Sequence, residues 1–500
     1  MNLPDVVATA PASLSALVEL REDALGAELR VTYGELADRV ARTAAGLFAG
    51  SVGVGDRVAI AAPSGIVFVV AYLAVQAVGA AAVLVNHRSP GPEFATRLDL
   101  AATDLVVLGD YDVPLPAGLT PLRVAGSQAQ QGVSLLDSPP VGLAPVPGGS
   151  PAAILFTSGV SGSPRPVILT HDNLTAVQLG LVSQIDSRLG PSTVALAVLP
   201  LAHVFGLNSS LGTMLRAGGS IVLLDRFDAA NSLKAIARYG VTAVSAVPQM
   251  WAMWAALAEG GGASGNEFAT VLRASASAAH LPPSTAVTVR EGFGVAIAAG
   301  YGLTETSGTI ALEDLAAPSA LTVGRPLGEA QLRLVDGDGQ VVEEGDRGEI
   351  WIGGPSVFAG YVGHEPLSKS MLAPGGWCRT GDVGVLDDEG RLSIVDRIKD
   401  VVIVGGFNVA PTEVEDVLVA HPRVGSALVV GEPDARTGER VVAFVVAKAG
   451  GAPPDPGDVT EYCRRRLARY KVPSRIEVRR ELPTTEGGKA VRRLLRSVPD

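Results

Sequence analysis

Four short stretches of the 500-residue chain hold residue types that can handle phosphate, metal and hydroxyl groups. Residues 157–166 read TSGVSGSPRP. Backbone N–H groups of such a glycine-rich turn converge on phosphate oxygens. Thr157, Ser158, Ser161 and Ser163 add hydroxyl donors, Gly159 and Gly162 allow close approach, and Arg165 adds a cation. The spacing is not that of a Walker loop. Residues 298–308, AAGYGLTETSG, set the carboxylate of Glu305 among Thr304, Thr306 and Ser307, and a hard cation such as Mg²⁺ takes carboxylate oxygen beside nucleotide phosphates. Tyr301 in the same stretch offers a flat face to a base. Asp382, after Thr380 and Gly381, is suited to accept from the vicinal hydroxyls of a ribose. Lys489 follows two glycines in PTTEGGKAVRR, so a compact ammonium sits on a pliable segment, ready for a phosphate or carboxylate. Taken singly, each stretch also reads as a polar turn or a solvated tail.

The elements that must position these residues alternate. Apolar β-rich runs such as LVVLG, AAILF, VALAVLP, SIVLLD and VTAVSAVP are separated by helix-like segments such as residues 229–239. That order predicts an α/β fold: a large N-terminal domain with mainly parallel sheets flanked by helices. Residues 58–86 carry no charge. Pro63, Gly65 and Gly79 divide them into strand, buried helix and strand rather than a membrane span. VLDDEGRL predicts a hairpin turning at residues 388–390. After Asp396 the pattern changes to GSALVVG, VVAFVVA and a helix over DVTEYCRRRLARY. We read residues 1–396 as one domain and 397–500 as a small, mobile α+β domain.

The net charge of −11 argues against nucleic acid as a partner, since phosphate backbones need a basic face. Cys378 and Cys463 are the only cysteines and have no metal-like spacing, which fits a reducing, cytoplasmic setting. No basic segment precedes an apolar run at the N-terminus, and no integral membrane association is expected.

Together, TSGVSGSPRP, PLAHVFGLN, YGLTE, GDRGEIWIGGP, WCRTGD, DRIKD and PTTEGGKAVRR, in this order over most of the chain, resemble the adenylate-forming enzyme superfamily. PLAHVFGLN and GFNVAPTEVE are most similar to its acyl- and aryl-CoA ligase branch, which includes the coumarate-CoA ligase-like enzymes. The resemblance implies that a carboxylate attacks the α-phosphate of Mg-ATP and that the thiol of coenzyme A, or of a phosphopantetheinyl carrier protein, then displaces AMP. It implies that Thr157, Ser158, Gly159, Ser161, Gly162 and Arg165 hold pyrophosphate. Tyr301 and Gly302 would lie at adenine, Thr304 at the α-phosphate and Glu305 on Mg²⁺. Asp382 and Arg397 would hold the ribose, and Lys489 would bridge carboxylate and phosphate. Lys399 would be the hinge of the small domain, and Gly405 and Gly406 would line the coenzyme A tunnel. His203, Phe205, Ser277 and Ala278 would border the acyl pocket.

Two departures stand out. Arg165 and Pro166 replace the family's usual lysine and glycine, which keeps the charge but removes one donor and stiffens the segment. LRASASAAHLPP replaces the usual glycine-rich turn near adenine. The pocket segments 205–209, 246–251, 275–280 and 301–309 read as small, apolar or aromatic, which favours a fatty or aromatic acid over an amino acid. A carrier-loading ligase and a catalytically weakened nucleotide- or acyl-binding relative are the alternatives.

Overall fold

The computed structural model describes residues 1–20, 28–103, 105–108, 120–123, 138–140, 145–158, 164–184, 189–319, 321–397, 400–434, 436–448, 450–484 and 491–495. The uncharged stretch folds as its punctuation predicts. Arg57–Ala61 and Ala81–Leu84 pair in parallel, and the helix Ile66–Ala77 crosses between them. All of this helix except Val67 is buried. A helix that is apolar all round belongs in a core, and this one packs against its own strands and against Ser15–Leu20 of a second sheet. No described helix is long and apolar enough to cross a membrane.

That second sheet has nine strands and carries much of the candidate site. Its middle is parallel, in the order Ile297–Leu303, Arg273–Ala276, Ala243–Ala246, Val194–Ala197, Ser220–Leu224 and Ser15–Leu20. Antiparallel strands close both edges. The crossover helix Ala229–Tyr239 spans the residues expected of it, capped by the Asp228 side chain and by Gly240 in the left-handed region. The sheet holding Arg57–Ala61 has seven strands, and on one side it continues through the antiparallel hairpin Pro151–Ser158 and Pro164–Thr170 to the edge strand Gly360–Tyr361. A third sheet, built from Gln331–Val335, Gly348–Gly353, Leu372–Ala373, Trp377–Leu386 and Leu392–Arg397, is wholly antiparallel. Its last two strands form the hairpin expected at VLDDEGRL.

The remaining five-stranded sheet runs from Val402–Val404 to Arg475–Arg479 and packs on the helices Pro411–Val419 and Pro456–Arg464 around its own core. The second helix is shorter than DVTEYCRRRLARY. Its turn tightens at Arg466, whose N–H donates to Cys463 O, and Leu467 then turns into the core. Thr412 Oγ1 donates to Val395 O at 2.9 Å, and His280 Nε2 lies 2.8 Å from Asp416 Oδ1. These contacts join this sheet's helix to the residues before it.

Ala278, two residues past the Arg273–Ala276 strand, holds φ at 72°. This is where the sequence departs from a glycine-rich turn. An L-residue with a Cβ in the left-handed region costs about 1–2 kcal/mol that glycine avoids. Ala278→Gly is expected to raise stability by about 1 kcal/mol in denaturant unfolding, after allowing for glycine's looser unfolded chain. An unchanged or lower midpoint would contradict that strain.

Candidate active site

The centre of the site is the carboxylate of Asp382. Register places Asp382 opposite Arg397 on the antiparallel hairpin, and Arg397 Nε sits 2.8 Å from Asp382 Oδ1. From the nine-stranded sheet, Tyr301 Oη donates to Asp382 Oδ2 at 2.7 Å. Asp382 is only 3% exposed. Burial, and then the Asp382 charge, push the Tyr301 hydroxyl well above the usual tyrosine range, so it stays a donor. The Asp382 charge likewise raises Arg397.

Beyond Tyr301 the chain makes a short 3₁₀ turn, Thr304–Thr306. Gly302 is required for it, because a Cβ there would lie 1.8 Å from Gly308 O. Leu303 N donates to Thr306 Oγ1, and Asn208 Nδ2 donates to Ser307 O at 2.8 Å. Asn208 belongs to a wide π-helical segment, Phe205–Gly212, a geometry that often marks functional sites. Glu305 is buried, and its Oε1 accepts from Tyr361 Oη at 2.8 Å. Tyr361 pairs with Val167 of the glycine-rich hairpin. Burial, then Glu305, raise the Tyr361 hydroxyl, and the Arg165 charge acts in the opposite direction. Glu305 and Arg165 therefore converge on one tyrosine.

Next to this turn lies a cavity lined by Phe205, Ser209, Ser245, Ser275, Ser277 and Thr309 among others. Ser277 Oγ donates to Gly300 O at 2.8 Å, and Thr309 N donates to Ser209 Oγ at 2.9 Å.

Comparison with known proteins settles the family. The profile described as AMP-binding enzyme matches residues 6–362, and that of the AMP-binding enzyme C-terminal domain matches residues 413–489. The chain belongs to the AMP-binding enzyme family. Feruloyl-CoA synthase of an Amycolatopsis species is 34% identical over 467 residues, 92% of each chain. Two solved structures are also similar. ATP-bound MatB from Rhodopseudomonas palustris is 29% identical with a TM-score of 0.88, over 99% of this chain and 98% of that one. The o-succinylbenzoate CoA synthetase of Bacillus subtilis, in complex with its acyl-adenylate intermediate, is 28% identical with a TM-score of 0.86, over 100% and 98%.

In this AMP-binding enzyme, Tyr301, Asp382 and Arg397 form one cluster, and Thr304, Glu305 and the hairpin lie beside it. Thr157, Ser158 and Arg165 are strand residues rather than loop residues: Thr157 pairs with Arg165 and Ser158 with Pro164. Pro166 O accepts from Val362 N. A β-residue directs its N and O to the same side, so the donor that Pro166 lacks faces Gly360–Tyr361 and not its hairpin partner. Gly159, Ser161, Gly162, Lys399 and Lys489 lie outside the described residues.

His203 is exposed and does not line the cavity; its Nδ1 accepts from Phe205 N at 3.3 Å, at the start of the π-helical segment. Ala278 does not line it either and packs against the cluster holding Phe205. Gly405 and Gly406, at φ 59° and 84°, form the tight turn between Val402–Val404 and Phe407–Val409. A Cβ on Gly405 would meet only Thr437, and one on Gly406 would meet nothing within 4 Å. In this structure neither glycine joins the Asp382 cluster.

Sequence reasoning missed Asn208 as a tether and Ser245 and Arg273 as cavity residues. Period-2 alternation of Arg273, Ser275 and Ser277 in LRASASAAH was the available signal. With Ser209, Ser245, Ser275, Ser277 and Thr309 on its wall, the cavity is more polar than the sequence implied.

The carboxylate of Glu305 fits a magnesium ion that arrives with nucleotide. One of its oxygens is oriented by Tyr361 and the other accepts no hydrogen bond among the described residues. Magnesium keeps waters and substrate phosphates as ligands and needs only one or two protein carboxylates.

Asp396, beside Arg397, is also buried; its Oδ1 accepts from Arg397 N at 2.7 Å, and its Oδ2 has no partner among the described residues. Burial pushes its carboxyl up to about 6, against the pull of Arg492. The folded protein thus keeps a proton that the unfolded chain releases from about pH 4 upward. Stability should fall as pH rises through this window, by about 3 kcal/mol at pH 7. Asp396→Asn removes the titration. The stability of wild type relative to the variant is expected to drop by about that amount between pH 4 and pH 7 in urea unfolding. A pH-independent difference would contradict the raised carboxyl.

Proposed function

We propose that the protein activates a carboxylic acid with ATP and transfers the acyl group to coenzyme A. The observation that carries this reading is the meeting of three features beside one cavity: the Glu305–Tyr361 contact, the Arg165 hairpin and the Tyr301–Asp382–Arg397 cluster. A carboxylate oxygen attacks the α-phosphorus and pyrophosphate leaves. The thiol sulfur then attacks the acyl carbon, and AMP leaves with the bonding pair.

Asp382 retains lone pairs for ribose hydroxyls beyond those used by Tyr301 and Arg397. Tyr301 and Gly302 border adenine, and Thr304 faces the α-phosphate. Arg165, with Thr157, Ser158, Gly159, Ser161 and Gly162, receives pyrophosphate, its guanidinium bidentately. Glu305 would hold Mg²⁺, which would supply positive charge beside the triphosphate. Lys489 meets the attacking carboxylate and the α-phosphate. Residues 397–500 act as the mobile unit on a Lys399 hinge, and Gly405 and Gly406 admit the pantetheine arm. We favour an aromatic acid over a fatty one, because the relatives are named for feruloyl and o-succinylbenzoate groups. Demand for ATP and coenzyme A fits a cytoplasmic setting.

A panel of carboxylic acids scored by ATP–pyrophosphate exchange tests the first step, and adding coenzyme A or a carrier protein separately tests the second. Exchange without thiol, and thioester on coenzyme A, are expected; thioester on the carrier alone would replace the acceptor. Lys489→Ala is expected to lower exchange at least 100-fold, on the scale of a lost transition-state charge contact. It should largely spare thioester formation from supplied acyl-adenylate. Equal loss of both steps would remove the role given to Lys489.

A further inference from the structure

Ser245 and Ser275 stand directly opposite each other on the adjacent parallel strands Ala243–Ala246 and Arg273–Ala276, with their hydroxyl oxygens 2.9 Å apart. Both strands lie in the middle of the nine-stranded sheet, where Val244, Ala246, Ala274 and Ala276 are buried. The two serines remain half-buried because they face the cavity. Their positions are firmly held. Ser275 O accepts from Trp251 Nε1 at 3.1 Å, and the Trp251 ring is fully buried against Trp254 and Phe268. Leu196, Met214, Leu312 and Leu315 supply apolar wall around the pair.

Hydroxyls are a poor lining for a dry apolar slot, because a desolvated O–H without a partner costs more than a methyl group. When the two serines bond to each other, one hydroxyl hydrogen is used. The other remains to donate, and several lone pairs remain to accept. The pair therefore presents a small two-way hydrogen-bonding spot in a cavity whose wall also carries Leu196, Met214, Leu312 and Leu315. Its depth is set by strand geometry. Ser277 is tied to Gly300 O, next to Tyr301, and so marks the end of the cavity at the candidate active site. Ser275, two residues back on the same face, lies about 7 Å deeper.

We propose that the Ser245–Ser275 pair is a specificity-determining element that selects acids carrying a hydrogen-bonding oxygen, a hydroxyl or an ether, on an otherwise apolar body about 7 Å beyond the level of Ser277. This rests on the reading of the cavity as the acyl site. The oxygen pairs with the spare hydroxyl, whereas an acid bearing a methyl group there leaves that hydroxyl desolvated and unpaired.

The test uses matched acids that differ only by hydroxyl against methyl: ring-substituted benzoic and cinnamic acids, and straight-chain acids with and without a terminal hydroxyl. Activation is read as kcat/KM in ATP–pyrophosphate exchange. Binding is read separately by calorimetry with α,β-methylene ATP present, which cannot form adenylate. Wild type is expected to favour at least one hydroxyl-bearing acid over its methyl partner by about tenfold or more. Ser245→Ala with Ser275→Ala should reverse that order, and a reversal itself shows a folded site. Ser275→Thr, which keeps a hydroxyl, should retain the preference. Equal treatment of the matched acids by wild type, or a preference that survives the double substitution, overturns the proposal. Binding discrimination without exchange upholds the pair and defeats the proposed activity. Absence of binding discrimination defeats the pair.

Discussion

A buried carboxylate is the constraint from which the rest of the site follows. Asp382 has almost no exposure to water, and an isolated charge there would be prohibitively costly. Arg397 neutralises it and Tyr301 donates to it, so removing Arg397 would leave the charge stranded and removing Tyr301 would cost it a donor. These partners come from different places. Tyr301 lies in the strand Ile297–Leu303 of the nine-stranded sheet, whereas Arg397 closes the antiparallel sheet just before the chain enters its last structural unit. Satisfying one carboxylate therefore fixes the two sheets against each other. It also fixes the point from which the C-terminal residues depart.

Strand alternation extends this logic by one residue. Neighbouring side chains on a strand point to opposite faces, so Arg397 turns toward Asp382 while Asp396 turns away, into the field of Arg492, Glu415 and Asp400. Arg492 is itself paired with Glu415 at 2.7 Å and with Asp400 at 3.4 Å. One strand end thus couples the Asp382 cluster to a charged cluster of the C-terminal unit. Any rearrangement of that unit must repartition the Asp396 environment, where a carboxyl near neutrality sits without full compensation.

The parts of this molecule that were legible in sequence are those fixed by local rules. Pro63, Gly65 and Gly79 punctuate an apolar run whose length suits strand, helix, strand. Asp228 and Gly240 cap the helix Ala229–Tyr239. Residue types at Tyr301, Glu305, Asp382 and Arg397 marked positions that folding brings into one neighbourhood. What was not legible depends on which way a residue faces. His203 sits in a suggestive motif yet is exposed. Ser245 looks like one small residue among alanines and valines, and only its register opposite Ser275 gives it a role. The length of the hairpin strands was also hidden, because a run of glycine, serine and proline carries no apolar alternation, while cross-strand pairing still carries Thr157, Ser158, Pro164 and Arg165 into the ladder.

That pairing changes the meaning of the unusual PRP sequence. Proline is tolerated in a strand where its missing donor is not needed for the ladder. Pro164 and Pro166 are two residues apart, so their nitrogens point the same way, and Pro166 O is engaged on the Gly360–Tyr361 side. The intervening Arg165 is free to pair with Thr157. Two fixed φ values flank a cation whose charge reaches Tyr361, and Tyr361 orients Glu305. A lysine between a proline and a glycine would be a point charge on a pliant arm. Arginine between two prolines is a planar fork on a stiff strand, held in register opposite Thr157. The departure from lysine and glycine exchanges reach for placement, and it preserves the positive charge.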